Sequence, residues 1–201
     1  MSEQMQPTGT EQEKTGGTGQ DPVLDNPARA DYREGRELFS RGEYGAAAMA
    51  YHNALRGFEE QGDEQGVANC SDRLGDVCVA REEYALALDH YRRAYAICEK
   101  EHDIFSMTSL NRKIAGVYKR TGELDKALAL LFEIFDHYSQ LRDPKGTVEI
   151  LEVIAEVYQD RGDRVKAADA LRTIASIHRN FKHTRQAAQF EQRAAALEQE
   201  E

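Results

Sequence analysis

The sequence predicts an all-α fold, a solenoid of helix-turn-helix units ended by a C-terminal capping helix, on three observations. From Pro27 onward Ala, Leu, Glu, Arg and Tyr recur at helical spacing, with no strand-like alternation and one further proline, Pro144. Laid against itself at an offset of 40 residues, the chain aligns small residues with small and large with large. Within each unit stands a short punctuation, "RGEY", "REEY", "TGEL" and "RGDR", starting at Arg41, Arg81, Thr121 and Arg161.

Taken in order, residues 1–26 are rich in Gln, Thr, Gly, Glu and Asp, and Val23 and Leu24 are their only branched apolar residues. So little can be buried there that a disordered polar, acidic tail is expected. The "TGGTG" of Thr15 to Gly19 is not a phosphate loop, because no Gly-Lys-Ser or Gly-Lys-Thr follows and no apolar strand precedes it.

Residues 27–183 then hold four units, at about 28–63, 64–103, 104–143 and 144–183. In the first helix of each, Gly35, Gly75, Ala115 and Ala155 form a small column, beside the larger Leu38, Cys78, Tyr118 and Tyr158. In the second helix, Ala47, Ala87, Ala127 and Ala167 precede the large column Tyr51, Tyr91, Leu131 and Leu171, and Ala54, Ala94, Ile134 and Ile174 follow it. Small columns let two helices approach closely while large ones fill the adjoining space. The turn between them has Gly in three of four copies, which suits a backbone position of positive φ. A second punctuation comes at Gly62-Asp63, His102-Asp103 and Arg142-Asp143.

Residues 184–201 continue the register for one helix: Phe190 joins the column of Ala30, Cys70, Leu110 and Ile150. Its short apolar stripe, Phe190, Ala194 and Leu197, predicts a cap over the last unit's apolar face.

The pattern resembles the tetratricopeptide repeat family, whose motif of Leu-Gly, a large residue, a Gly turn with Tyr, then Ala, aromatic and Ala is carried in the second copy by Leu74, Gly75, Tyr84, Ala87, Tyr91 and Ala94. Glu82 replaces the turn Gly there, Arg164 stands where the motif has Tyr, and the chain has no Trp. The resemblance covers about residues 28–180, and the 40-residue unit is similar to the long-repeat subclass found in Pins-type adaptors and bacterial regulators. It implies a right-handed solenoid whose first helices line a concave groove. Carried onto this chain, the groove would be lined by Arg29, Tyr32, Arg36 and Phe39; Asn69, Asp72, Asp76 and Val79; Ser109, Arg112, Gly116 and Lys119; and Glu149, Glu152, Glu156 and Gln159. Lys113 and Arg120 would add positive charge beside Arg33 and Arg73. The first-helix faces thus run basic, mixed to acidic, basic, acidic.

Two expectations compete for these charges: they neutralise each other between adjacent helices, or they select a mixed-charge segment of another protein. A clamp for a C-terminal carboxylate is disfavoured, since the asparagines the family uses for it are missing and Tyr32, Arg36, Arg73, Ser109 and Lys113 stand at those positions.

Other classes of function find little in the chain. A net charge of −10 argues against a nucleic-acid grip, which needs clustered Lys and Arg. No segment approaches the roughly 20 apolar residues of a membrane span, and the N-terminus lacks a signal-peptide pattern, so a cytoplasmic protein is expected. Each of the three cysteines sits in a core column, and no His or Cys spacing suggests a metal, so neither catalytic residues nor metal or cofactor ligands are expected. The function expected is a non-catalytic adaptor or scaffold for another protein, with a regulatory or sensory module that binds a short peptide or small effector as the alternative.

Overall fold

A computed structural model describes residues 26–199, and among these the chain forms helices joined by tight turns, with no strand. The helices are α1 (Pro27–Ser40), α2 (Tyr44–Gln61), α3 (Glu64–Ala80), α4 (Tyr84–Lys100), α5 (Ile104–Arg120), α6 (Leu124–Gln140), α7 (Pro144–Asp160), α8 (Arg164–Asn180) and α9 (Thr184–Gln199). The tail expected over 1–26 lies outside the described residues, apart from Asn26. Each helix packs chiefly on the next in the chain. Side-chain bridges link α3, α5, α7 and α9 into one layer and α2 to α4 in the other.

The turns share one geometry. Positive φ recurs every 20 residues, at Gly42, Gly62, Glu82, His102, Gly122, Arg142, Gly162 and Lys182. At each, the next residue's N–H donates back to the carbonyl five residues earlier, as Glu43 to Leu38, Glu83 to Cys78 and His183 to His178. This left-handed C-cap satisfies carbonyls that a helix end would leave orphaned. The positive φ expected at the Gly turns is therefore present, and it persists where Glu, His, Arg and Lys replace glycine. First helices are opened by side-chain caps: Asp63, Asp103 and Asp143 accept backbone N–H bonds from Gly66, Ser106 and Gly146.

The columns meet across the helix pairs. Gly35 faces the ring of Tyr51 and Gly75 that of Tyr91, and both tyrosines are buried. In the last two units Ala115 and Ala155 are buried and the partner column holds the smaller Leu131 and Leu171. Between successive pairs the same complementarity sets Phe58 against Gly66 and Tyr138 against Gly146. The three cysteines are free and buried, and burial pushes their thiols up, that of Cys70 to about 12. The cap helix α9 buries Ala187 and Ala194, and Phe190 stacks on His178 with ring centroids 5.5 Å apart.

Candidate functional site

The expected groove residues all lie on first helices, and the structure joins most of the charged ones into ion pairs that cross from one first helix to the next. Lys113 on α5 reaches back to α3, with Nζ 2.6 Å from Asp72 and 2.8 Å from Asp76. Arg73 closes the cluster on the same two carboxylates at 2.8 and 2.9 Å. Tyr91, on α4 beneath them, donates its hydroxyl to Asp76 at 2.8 Å, and the Lys113 ammonium stands 5.5 Å from the centre of its ring. Burial, followed by the charge of Asp76, pushes the Tyr91 phenol far above its usual range, so it remains a donor at neutral pH.

From the same α5, Lys119 reaches forward to α7, to Glu156 at 2.8 Å and Asp160 at 3.5 Å. Partial burial by itself would lower the Lys119 ammonium, but its hydrogen bond to Glu156 and the charges of Glu156 and Asp160 raise it. Arg112 meets Glu149 at 3.5 Å and donates to the Tyr138 hydroxyl at 3.3 Å. Glu152 is met by Arg193 of α9 at 3.3 Å. The acidic helix expected to face a partner's basic groups is thus flanked on both sides by the chain's own cations.

The remaining groove cations stand apart. Arg29, Arg33 and Arg36 are exposed on α1, three to four residues apart and therefore on one helical face, and among the described residues none is in an ion pair. Arg120 is likewise exposed and unbridged. Tyr32 is half-buried beside them, its ring centroid 5.7 Å from that of Tyr51.

A hollow of about 170 Å³ opens between α3 and α5, over the end of α4. Asn69, Asp72 and Ser109, all on the expected groove face, line it with Gln65, Cys98 and Phe105. Phe105 is 85% exposed, the most of any large apolar residue described. Sequence reasoning missed it because it falls in a column with Gln65, Lys145 and Arg185 and looks like a solvated position.

Residues 28–100 match the tetratricopeptide repeat family. Its fold is that of a tetratricopeptide-repeat protein. The solved structures agree: a putative kinesin light chain from Podospora anserina with nearly identical tetratricopeptide-like repeats superimposes with a TM-score of 0.65 at 13% identity, over 88% of this chain and all of that one. The apo form of RapI gives 0.73 at 18% identity over 86% of this chain, which spans 49% of RapI. A Rap protein in complex with competence and sporulation factor gives 0.56 at 16% identity, over 85% of this chain and 52% of that one. No curated protein sequence matches the chain. At these identities the likeness is one of fold. It makes the chain a right-handed tetratricopeptide-repeat solenoid with α9 as its C-terminal cap. No helix among the described residues is long and apolar enough to cross a membrane.

Proposed function

We propose that this chain is a non-catalytic protein-interaction module, an adaptor or scaffold of the cytoplasm, that docks a segment of another protein along its first helices, the concave side of a tetratricopeptide-repeat solenoid. The observation that carries the reading is the hollow beside Phe105. A large aromatic ring left almost wholly in water, next to the unbridged amide of Asn69 and hydroxyl of Ser109, offers a partner both apolar area and hydrogen bonds. The helices that carry these groups are held by packing and ion pairs, so the ordering cost of binding falls on the partner. The solved Rap complex, of similar fold, supports a bound factor here.

The inter-helix ion pairs sharpen the mixed-charge expectation. Lys113, Lys119 and Arg112 are engaged by the solenoid itself, so acidic groups of a partner meet Arg29, Arg33, Arg36 and Arg120. Asp72 and Asp76 act on the partner through the Lys113 cluster, and Glu149, Glu152 and Glu156 keep exposed carboxylate edges for its basic groups.

Affinity capture with mass spectrometry tests this when wild type is compared with two variants, N69A/F105A and R29E/R36E. The expected result is a partner kept by wild type and lost by both variants, with melting unchanged. A partner kept by both variants but lost on R56E/R92E, on the second helices, would move the working surface to the convex side. The likeness to Rap proteins supports a second reading, a regulatory module whose superhelix changes on binding, and a change in radius of gyration with the captured partner would select it.

A further inference from the structure

The hollow beside Phe105 has a counterpart two units on, and its chemistry is different. At an offset of 80 residues, Gln65, Ala68, Asn69 and Cys98 of that hollow become Lys145, Val148, Glu149 and His178, and Ile177 stands with them. These residues line a cleft of about 270 Å³ between the start of α7 and the end of α8, closed by Pro144, Phe181 and His183. Its floor is apolar, and Phe181 is left 55% exposed at its mouth. Where the earlier unit has Glu64 and Glu101, this one has Pro144 and Phe181.

Cations gather here in a chain that is acidic overall: Lys145 lines the cleft, and Arg142 and Lys182 stand one or two residues in sequence from the lining Pro144, Phe181 and His183. Arg142, Lys145 and Lys182 are all exposed, and none of them is in an ion pair among the described residues. Of the nearby carboxylates, Asp143 accepts the backbone N–H groups of Lys145 and Gly146, and Glu149, which lines the cleft, is paired with Arg112 and keeps only an outer edge exposed. Arg142 and Lys182 also occupy left-handed positions, φ 53° and 60°, that Gly62 fills in the first unit. A β-carbon at such a φ carries a conformational cost that glycine avoids, so the charge is present at a local expense.

We propose that this cleft is a second docking site, which takes an acidic segment of another protein bearing large apolar residues at its centre: one such side chain enters between Val148, Ile177 and Phe181, and carboxylates on either side meet Lys145 and Lys182. Charge complementarity selects the occupant, since an apolar floor alone would accept any greasy segment, while the unpaired Lys145 in the lining and Arg142 and Lys182 next to lining residues favour acidic flanks and penalise basic ones. The site goes beyond the docking on α3 and α5 and stands independently of it.

The test is a fluorescence-anisotropy titration of the full chain with a labelled acidic peptide, Asp-Asp-Glu-Leu-Phe-Glu-Asp. Two controls accompany it, one with Lys at every acidic position and one with Ala for Leu and Phe. The wild type is expected to bind the first peptide and neither control, with affinity falling as salt rises. K145E/K182E should weaken binding by tenfold or more, on the order expected for reversing two facing charges. K182G removes the charge while relieving the turn, so it should bind several-fold more weakly yet melt no lower than wild type. N69A/F105A should bind as wild type does. Absence of binding by the acidic peptide, or equal binding by wild type and K145E/K182E, overturns the site. So does sedimentation of the protein with anionic phospholipid vesicles through the same lysines when the peptide fails to bind. A dimer seen by light scattering that F181A converts to monomer would assign the cleft to a second copy of the chain and overturn it as well.

Discussion

The ring of Tyr51 fills the space that a side chain on Gly35 would need: a β-carbon there would stand 2.7 Å from two ring carbons. Gly35→Ala gains helix propensity of about 1 kcal/mol, but it forces a fully buried ring out of place at a cost of about 1–3 kcal/mol. A net loss of stability is expected. The double variant G35A/Y51L recreates the Ala155–Leu171 pairing of the fourth unit, so the two substitutions should be less damaging together than their sum. Strict additivity in urea denaturation would show that the two columns do not face each other as described.

Lys113 and Lys119 lie on one helix but differ in setting. The first is held by two half-buried carboxylates, the second by Glu156, whose side chain is 56% exposed. Lys113→Met should therefore cost about 1–2 kcal/mol, between the values for exposed and buried pairs, and Lys119→Met less than about 1 kcal/mol. Equal costs would mean that the Asp72–Asp76 cluster is no better shielded from water than the outer pair.

Glu82 holds a left-handed backbone, φ 60°, where three other units have glycine. Glu82→Gly removes a penalty of about 1–2 kcal/mol against a gain in unfolded-chain entropy of about 0.4–1 kcal/mol. The variant should be slightly more stable than wild type, and Gly122→Ala less stable. A Glu82→Gly protein that melts lower would point to a role for Glu82 beyond the turn.

Acid should weaken the helix starts. The hydrogen bonds from Ser106 hold the Asp103 carboxyl below its usual value. A carboxyl depressed in the folded state adds stability that is complete above its unfolded pKa, roughly 4, and that is lost as pH falls through the lower folded value. Asp103→Asn, which caps without titrating, should keep most of the neutral-pH stability and lose less between pH 5 and 2. Identical acid profiles would remove Asp103 from the transition.

The buried cysteines should be silent. With Cys70 raised to about 12 and all three thiols covered, a thiol reagent at pH 8 should label none of them in the native protein and all three in urea. Rapid native labelling of Cys78 would reopen the possibility of a nucleophile.

The 40-residue register made the fold readable in advance. Cys70, Cys78 and Cys98 could be placed inside because their columns hold Leu110, Leu38 and Phe58, and the structure buries all three. The groove was legible as a set of charges but not as a set of partners. Lys113 looks back 41 residues and Lys119 looks forward 37, and that choice depends on helix rotation and side-chain reach, which periodicity does not carry. The hollow at Phe105 and the cleft at Phe181 were hidden for a related reason, since each depends on what a neighbouring helix end leaves uncovered.

The identical 20-residue stride of the turns makes the units interchangeable in shape, and the ion pairs forbid the exchange. Excising residues 64–103 would leave every helix length and packing column in phase. It would also bring Lys113 against α1, where the positions of Asp72 and Asp76 are taken by Tyr32 and Arg36. A cation would then face a cation. The units thus repeat in shape but not in charge, and Lys113 with Asp72 and Asp76 proofreads the order of the second and third.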